Sequence, residues 1–341
     1  AANEGAIIIS SAFTPIVRLA IVAGFIVTLL LGGWYALSGS IALGSYGILV
    51  FQTQRLLWPL TRLGDLTDMY ERTMAATKRV LDLTDLPMVY RHSGKRFNAR
   101  DISGTIDFNT VSFAYEAEKP VLKDFDLHIP AGNTVAFVGH SGCGKSTLLQ
   151  ILLGFYTPTA GSVTVDGEDI ATLNIDDLRK AIAFVSQDIF MFYGTISENI
   201  AYGSPHATQA EIERAAELAQ AHEFITSFPK GYDTYIQEHG YPLSGGQKQR
   251  IGIARALVKD APIYIFDEAT SAVDNITEAA IQESLDSALH DRTRIIIAHG
   301  LTSITNADLI CVLEKGEILE HGTHQELLEK GGVYHRLWTQ K

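Results

Sequence analysis

The chain has 341 residues, of which 46% are hydrophobic and 19% charged, and 27 Lys and Arg against 39 Asp and Glu give a formal net charge of −12. At roughly 150 residues per domain this length predicts about two domains, the apolar content excludes a disordered or collagen-like chain, and the acidic balance argues against a dedicated nucleic-acid binder. The two cysteines, Cys143 and Cys311, do not form the pattern of a disulfide framework and favour a reducing compartment for their part of the chain.

The first predicted element is an apolar hairpin. Residues 19–54 contain no Asp, Glu, Lys or Arg, a longer run than one bilayer span of about 20 residues requires. The small residues 38–40 interrupt this run, which predicts two transmembrane helices over residues 13–37 and 41–63. The uncharged run exceeds what buried core helices of a soluble protein need, and it lacks the small-residue cleavage pattern of a signal peptide.

The positive charges near the hairpin predict its orientation. Arg18 lies at the start of the first span, Arg55 and Arg62 lie towards the far end of the second, and the turn has no positive charge. Because cytoplasmic ends of spans carry an excess of Lys and Arg, both ends of the hairpin are expected in the cytoplasm. Residues 1–85 are therefore predicted to be a partial transmembrane domain, and a charged amphipathic helix over residues 65–83 extends the second span.

A soluble α/β domain is predicted to follow a linker. Residues 86–104 are polar and turn-forming and are assigned to the linker, and the domain covers residues 105–341. In this domain helical stretches alternate with short apolar strands, at residues 134–138, 182–185, 263–266 and 294–298. Continuous apolar strands of this kind are typical of a parallel sheet covered by helices on both faces.

A glycine-rich loop follows the strand at residues 134–138. It fits the pattern Gly, four residues, Gly-Lys-Ser/Thr, and a helix-forming run follows it. Glycines let backbone N–H groups close around phosphate oxygens, the helix N-terminus adds partial positive charge, Lys145 reaches the outer phosphates and Ser146 can ligate Mg²⁺. The predicted nucleoside triphosphate site consists of Gly139, His140, Ser141, Gly142, Cys143, Gly144, Lys145, Ser146 and Thr147.

Two adjacent acids follow another predicted strand. Asp267 and Glu268 come directly after residues 263–266, at the strand end where open α/β sheets bind their ligands. Asp267 is expected to hold the Mg²⁺ shell, and Glu268 is placed to polarise an attacking water. Paired acids at a strand end are also common on solvated surfaces, so it is the phosphate loop upstream that favours the functional interpretation.

A third motif narrows the class of protein. Residues 243–250, Leu-Ser-Gly-Gly-Gln-Lys-Gln-Arg, resemble the signature sequence of ATP-binding cassette (ABC) ATPases. Together with the phosphate loop, the acidic pair and the hairpin, they make the chain similar to the C-terminal part of an ABC exporter subunit, a type IV, ABCB-like half-transporter. The resemblance implies an α-helical transmembrane hairpin followed by an α/β P-loop NTPase with a RecA-like core, an antiparallel β subdomain and a helical subdomain at about residues 188–258.

The resemblance also implies an activity and its catalytic residues. ATP and Mg²⁺ would be bound, and ATP hydrolysis would drive export of a lipid, drug, peptide or other amphipathic compound. Tyr115 matches the aromatic residue that stacks on adenine. The implied catalytic residues are Glu268, His299, Gln187 and Lys145, and the implied Mg²⁺ ligands are Ser146, Gln187 and Asp267, the last through water.

Assembly follows from the signature motif. The motif opens a helix that continues to Val258, and a helix N-terminus is a second anion-binding site. In the family this site faces the nucleotide of a second subunit, so that ATP joins two copies, as a homodimer or a close heterodimer, and a monomer should hydrolyse poorly. The residues that would act in trans are Ser244, Gly245, Gly246, Gln247 and, in the loop that crosses to the facing subunit, Asp274.

Some positions near these motifs matter for coupling to the membrane. Glu238 matches an acidic residue that contacts the coupling helices. His239 and Gly300 depart from the family, because many exporters have Arg at both positions. We expect His239 to alter a contact near the membrane interface and Gly300 to loosen the turn after the switch residue His299.

The membrane part matches only the last two of the six spans that family members usually carry. The remaining transmembrane helices are expected upstream on the same polypeptide or on a separate chain. The resemblance implies an integral protein of a bacterial inner or plasma membrane with a cytoplasmic ATPase domain. Its implied partners are the second subunit, the bilayer and a small-molecule or peptide substrate, without nucleic acid.

Two other classes of function share these motifs. A soluble ABC ATPase acting on nucleic acid or ribosomes is disfavoured by the uncharged hairpin and the acidic balance. A nucleotide-gated channel or regulatory subunit is disfavoured because the positions of Glu268 and His299 are intact.

Overall fold

The computed structural model describes residues 2–57, 59, 62–85, 94–116, 118–237, 243–270, 272–298 and 300–339. The chain divides into two compact units, Ala1–Val89 and Tyr90–Lys341. We describe each unit by itself. The boundaries proposed from the sequence, with a linker over residues 86–104, remain predictions.

The first unit is helical. Its helices are α1 (Ala2–Leu37), α2 (Leu43–Leu57) and α3 (Arg62–Thr84). The described residues contain one helix that is long and apolar enough to cross a membrane, Pro15–Leu37, and none of it is buried. α2 has 15 residues, about 22 Å at the helical rise, and is shorter than the predicted second span. Because residues 58, 60 and 61 lie outside the described residues, that span remains a prediction.

The turn between α1 and α2 falls where the small residues predict it. α1 ends at Leu37, the Ser38 hydroxyl donates to the carbonyl of Tyr35 at 3.0 Å, and Gly39 has φ +74°, a conformation that glycine adopts at little cost. The two helices then pack closely, because the Tyr46 ring lies 3.0 Å from where a Cβ on Gly32 would stand. The predicted hairpin turn therefore forms from local chemistry.

The second unit alternates strands and helices. Its strands are β1 (Ile106–Glu116), β2 (Lys119–Ile129), β3 (Thr134–Val138), β4 (Ala160–Val165), β5 (Glu168–Asp169), β6 (Ile182–Val185), β7 (Gly194–Thr195), β8 (Tyr235–Ile236), β9 (Ile263–Asp267), β10 (Thr293–Ile297), β11 (Leu309–Glu314) and β12 (Glu317–Gly322). Its helices are α4 (Lys145–Leu152), α5 (Ile175–Ala181), α6 (Ile196–Ala201), α7 (Gln209–Leu218), α8 (His222–Ser227), α9 (Gly245–Leu257), α10 (Asn275–Ala288), α11 (His324–Glu329) and α12 (Val333–Thr339).

A mixed sheet forms the centre of this unit, in the order β12-β11-β3-β10-β9-β6. β11, β3, β10, β9 and β6 pair in parallel, and β12 pairs antiparallel to β11. All of β3 is buried, as its continuous apolar sequence predicts. Ile297 is in register with both Phe137 of β3 and Asp267 of β9, so the carboxyl ends of these strands meet at one edge of the sheet.

Two smaller parts complete the predicted α/β fold. An antiparallel sheet has the order β2-β1-β4-β5, and its buried side chains share a core with β3 and α4. Helices α6 to α9 pack in a separate apolar cluster. α6, α7 and α9 each begin with a capping box, at Thr195, Thr208 and Ser244, which satisfies the free amides of the first turn. The predicted antiparallel and helical subdomains are both present.

Candidate functional site

The phosphate loop joins the buried strand β3 to the first residue of α4. Gly139, Gly142 and Gly144 have φ angles of 152°, 80° and 112°, in the region that side chains other than glycine rarely adopt. A Cβ on Gly139 would lie 2.3 Å from the carbonyl oxygen of Leu313, and one on Gly144 would lie 2.9 Å from Cδ2 of Leu122. The loop is therefore a tight backbone cradle at a helix N-terminus, which suits a phosphate group.

Lys145 lies inside this loop. The residue is only 7% exposed. Its Nζ donates to the carbonyl oxygens of Gly139 at 2.7 Å and His140 at 3.2 Å. Nζ also lies 3.6 Å from Sγ of Cys143. These carbonyls solvate an ammonium group that is otherwise removed from water. The loop thus holds a positive charge within its own turn, while Ser146 next to it is exposed.

The acids and the predicted glutamine come together at the carboxyl edge of the sheet. Asp267 ends β9 and Glu268 follows it, while Gln187 lies two residues beyond the end of the neighbouring strand β6. Nε2 of Gln187 donates to Oε2 of Glu268 at 2.6 Å. A short hydrogen bond to an ionised carboxylate fixes its orientation more firmly than a neutral one does.

The backbone at Glu268 is unusual. Its φ is +50°, a left-handed conformation that is uncommon outside glycine, asparagine and aspartate. The Glu268 amide donates to the carbonyl of Ile297 at 2.9 Å, which ties the turn to β10. Such strained conformations persist where the surrounding structure holds them, and they are frequent at functional sites.

The signature residues lie at the start of α9. Ser244 is the N-cap: its hydroxyl accepts from the Gln247 amide at 3.3 Å, and its own amide donates to Oε1 of Gln247 at 2.9 Å. Gly245 and Gly246 follow, and a Cβ on Gly246 would lie 2.9 Å from the carbonyl oxygen of Ala272. The two glycines therefore leave the first turn open and let the segment around Ala272 approach it.

A buried side chain of α9, Gln249, also holds the segment around Ala272. Its Oε1 accepts from the Ala272 amide at 2.8 Å. Asp274, two residues after Ala272, is the N-cap of α10, and its carboxylate accepts from the Thr277 amide at 3.0 Å. This hydrogen bond lowers the pKa of Asp274 from its ordinary value of 3.8. The carboxylate is exposed and stays ionised at neutral pH.

Tyr115 lies at the end of β1, beside the phosphate-loop helix. Its hydroxyl donates to Oε1 of Gln150 at 2.8 Å and lies 3.1 Å from Oγ1 of Thr147. The residue as a whole is 52% exposed. Its ring contacts Phe113 and Tyr156 edge to face, with centroids 4.9 and 5.2 Å apart. An exposed aromatic face fixed next to the phosphate loop is a suitable platform for a base.

A comparison with known protein families covers the phosphate loop, the signature and the acidic pair in one match. A family model described as ABC transporter matches residues 122–271, which include the phosphate loop, the signature and the acidic pair. The chain contains an ABC transporter ATP-binding domain. The sequence-based resemblance is thereby confirmed, and ATP is a ligand of this kind of domain.

Relatives of this ABC chain extend the match to the helical unit. It is 42% identical over 309 residues to YwjA of Bacillus subtilis, an uncharacterized ABC transporter ATP-binding protein, with 91% of this chain and 54% of YwjA covered. It is also 42% identical over 306 residues to an ATP-dependent lipid A-core flippase of Syntrophus aciditrophicus, with 90% and 51% covered.

A solved structure is similar over almost all of the chain. A bacterial Atm1-family ABC exporter with ATP bound superposes with a TM-score of 0.74 at 35% identity, covering 99% of this chain and 59% of that one. The chain thus spans about half the length of the curated relatives it matches.

Several predicted positions of the ABC domain lie outside the described residues, namely Glu238, His239 and His299. Gly300 is described, with φ −90° and ψ 120°, and it precedes a short 3₁₀ helix, Leu301–Ile304. Any residue adopts this conformation. The structure therefore gives no conformational reason for glycine at this position.

Two side chains that the sequence analysis missed contact residues or elements of this candidate site. Tyr156 packs on Tyr115. It lies four residues after the end of α4, a position that could have been noted as a second aromatic near the loop. Arg255 on α9 donates to the carbonyls of Asn199 at 2.8 Å and Phe190 at 2.9 Å, and burial lowers its pKa to about 10. It joins the signature helix to the segment after Gln187, which no local motif could indicate.

The donor set also suits the expected metal. Among the described residues no three His, Cys, Asp or Glu side chains form a metal cluster. Mg²⁺, however, commonly uses one or two protein oxygens together with phosphates and water. The hydroxyl, amide and carboxylate oxygens of Ser146, Gln187 and Asp267, at the same sheet edge as the phosphate loop, fit that chemistry.

Proposed function

We propose that this chain is the ATP-hydrolysing part of an ABC exporter. The observation that carries the proposal is the 2.6 Å hydrogen bond between Gln187 and Glu268, at the edge of the sheet where the phosphate loop begins. It gives the candidate base a fixed orientation beside a site for the outer phosphates. A domain that only bound nucleotide would not need an oriented carboxylate there.

ATP binding is assigned to the loop and the aromatic platform. The amides of residues 139–147 surround the phosphates, Lys145 neutralises charge on the outer ones, and the exposed face of Tyr115 stacks on adenine. Lys145 would exchange its carbonyl partners in the loop for phosphate oxygens. Because these contacts leave one face of the nucleotide open, a second surface is needed to enclose it.

The second surface belongs to another copy or a close relative of this chain. Ser244, Gly245, Gly246 and Gln247 offer a capped helix start, and Asp274 lies on the segment that packs against it. The N-terminus of α9 carries positive partial charge and would face the γ-phosphate of the partner's nucleotide. ATP then joins two subunits, and its hydrolysis releases them.

Hydrolysis is assigned to Glu268, which accepts a proton from the attacking water, with Gln187 orienting it. His299 is expected to contact the γ-phosphate. Ser146, Gln187 and Asp267 would hold Mg²⁺, Asp267 through water, and a bound ion would supply positive charge beside the phosphates.

The helical unit is assigned to the membrane. The apolar helix Pro15–Leu37 supports a first span, and residues 41–63 remain the proposed second one, with the ATP-binding unit in the cytoplasm of a bacterium. Further helices would come from the same polypeptide or another chain. Relatives named as lipid A-core flippases and as a putative multidrug exporter support an amphipathic substrate, while a peptide remains open.

The test is ATP turnover by the purified full-length protein with Glu268→Gln. Loss of a general base should lower the rate by roughly 10²- to 10⁴-fold, while binding of a fluorescent ATP analogue stays unchanged. Glu283→Gln, an exposed glutamate on α10, is the matched control and should keep the parent rate. Turnover of Glu268→Gln at the parent rate would show that the assigned base is wrong.

A second variant separates binding from catalysis. Lys145→Ala should weaken binding of the same analogue, because it removes the cation from the loop. Unchanged ATP affinity in this variant would contradict the phosphate-site assignment even if Glu268 proved catalytic.

A further inference from the structure

The signature helix α9 has a buried glycine in its interior, Gly252. Glycine in the middle of a helix is less favourable than alanine, because it loses more backbone freedom on folding. The backbone of α9 is helical on both sides of Gly252, so its conformation does not require glycine. A glycine at such a position needs a packing reason.

The packing reason is Ile189, two residues after Gln187. A Cβ on Gly252 would lie 2.7 Å from Cδ1 of Ile189 and 3.0 Å from both its Cγ1 and its Cγ2. Rotation about χ2 moves Cδ1 but leaves the two Cγ atoms in place, and χ1 of a β-branched side chain is stiff. Ile189 therefore occupies the space that the absent side chain of Gly252 leaves on α9.

Arg255, three residues further along α9, holds the residues that follow Ile189. Its Nη1 donates to the carbonyl of Phe190 at 2.9 Å. Its Nε donates to the carbonyl of Asn199 at 2.8 Å, and its Nη2 donates to Oδ1 of the same residue at 3.1 Å. A planar guanidinium with three acceptors fixes the direction as well as the distance of the segment that it binds.

The side chain of Asn199, which is buried, makes this segment rigid. Its Oδ1 accepts from the amide of Phe192 at 2.9 Å, and its Nδ2 donates to the carbonyls of Phe192 at 2.9 Å and Thr195 at 3.0 Å. A buried amide that lost these partners would be unfavourable. Residues 190–199 are therefore attached to α9 as one closed loop.

On its other side Ile189 is close in sequence to the catalytic edge. The hydroxyl of Ser186 donates to the carbonyl of Asp188 at 2.8 Å, which closes a short turn around Gln187. Nε2 of Gln187 then donates to Oε2 of Glu268 at 2.6 Å. A displacement of Ile189 away from α9 would therefore displace the turn that carries the Gln187 side chain.

We propose that the size match between Ile189 and Gly252 positions Gln187 for ATP hydrolysis, which makes Ile189 and Gly252 positioning residues of the reaction. The proposal rests on the ATP-hydrolysing function proposed above. Both residues act through Gln187 and its bond to Glu268, and not on the nucleotide. The proposal thus predicts that a change of size at either position affects turnover more than nucleotide binding.

The test is a double-mutant cycle on the purified full-length protein. For each variant we would measure kcat for ATP, the Kd of a fluorescent ATP analogue and thermal stability. The variants are Gly252→Ala, Ile189→Ala and the two combined. Leu218→Ala is the matched control, because Leu218 is also partly buried and packs against the same apolar cluster as Ile189.

Gly252→Ala should lower kcat roughly tenfold, because misplacement of a group by about 1 Å can cost up to about 10²-fold in rate. The Kd of the analogue should stay within about twofold of the parent. Alanine is the better helix former, so a weaker α9 cannot explain the fall.

Ile189→Ala should also lower kcat, because the segment loses its contact with α9. The combined variant should recover part of kcat, since Ile189→Ala removes all three atoms nearest to the new Cβ. Leu218→Ala should keep the parent kcat.

A further combination, Gly252→Ala with Gln187→Ala, tests whether the effect passes through Gln187. We expect no fall in kcat beyond that of Gln187→Ala alone, because the effects of residues that act through one contact are not additive. A general packing defect would lower kcat by the same factor with or without Gln187.

Three results would overturn the proposal: a parent kcat in Gly252→Ala, no recovery in the combined variant, or an equal fall in the absence of Gln187. If Gly252→Ala does not fold, Ile189→Ala decides. A lower kcat at unchanged Kd would then support the proposal, and a parent kcat would overturn it. Failure of the parent itself to hydrolyse ATP would instead refute the proposed function.

Discussion

The side-chain amide of Gln187 and the carboxylate of Glu268 are joined by a hydrogen bond although the two residues follow different strands. Gln187 comes after β6 and Glu268 after β9, and these strands are parallel neighbours in the sheet. The bond brings a residue assigned to the Mg²⁺ shell into contact with the residue assigned to activate water. A displacement of either side chain therefore changes the position of the other.

Gln187→Ala should lower kcat for ATP roughly ten- to hundredfold, because a hydrogen bond to a charged group contributes roughly 1.5–3 kcal/mol and each 1.4 kcal/mol is a factor of ten in rate. Steady-state phosphate release measures the effect. The matched control is Gln282→Ala on α10, whose side chain donates to Asp286. Equal rates in the two variants would contradict an orienting role for Gln187.

Tyr156→Leu should weaken ATP binding without changing kcat, because the Tyr115 ring loses its edge-to-face neighbour at 5.2 Å. An aromatic pair of this kind contributes about 0.5–1.5 kcal/mol, so a rise in Kd of roughly two- to tenfold is expected. Titration with a fluorescent ATP analogue measures it. Tyr235→Leu, an exposed tyrosine on β8, is the control, and an equal effect there would refute the specific role.

Gly139→Ala should destabilise the fold and abolish nucleotide binding, since its Cβ would meet the Leu313 carbonyl at 2.3 Å. Gly167→Ala is the control: its φ is also positive, at 79°, but its Cβ would find nothing within 4 Å. Denaturant titration should show that Gly139→Ala loses about 1–3 kcal/mol more unfolding free energy than Gly167→Ala. Equal losses would mean that backbone strain alone, not the close approach, requires glycine.

Cys311 should resist alkylation in the native protein even at high pH. Burial raises the pKa of its thiol from 9.0 to about 12, so the folded state keeps the proton between pH 9 and 12 while the unfolded state releases it. The unfolded state then binds fewer protons, and the contribution of this group to unfolding free energy falls as pH rises through that range.

Iodoacetamide labelling at pH 7 and pH 10, read by the mass of the Cys311 peptide, measures this protection. In urea the rate should rise with pH, and in the native protein it should stay low, because the thiolate is the nucleophile. An equal rise with pH in both states would contradict the burial argument.

The local elements of the site could be predicted from the sequence because each has a local cause. β3 and α4 follow from an apolar run, glycines and a helix-forming stretch, and the structure has them at Thr134–Val138 and Lys145–Leu152. Ser244 precedes Gln247 by three residues, the spacing of a capping box, and the box is formed. The assigned roles of these residues remain predictions.

The contacts that join distant segments could not be predicted in this way. Residues 86–104 are polar and turn-forming, so the sequence favours a linker; nothing local reveals that Arg96 meets Asp177 at 2.6 Å. The pairing of Tyr156 with Tyr115 likewise depends on how β1 lies against α4. Such pairs form only after the sheets and helices have packed.

The amino-acid order by itself determined the phosphate loop, the acidic pair, the signature helix and the apolar hairpin, because backbone conformation and hydrophobic periodicity act over a few neighbouring residues. Tertiary structure alone decided which side chains from distant segments come into contact, among them Gln187 with Glu268 and Arg96 with Asp177. These contacts are set by strand order, register and burial, which are properties of the packed domain and not of any short segment.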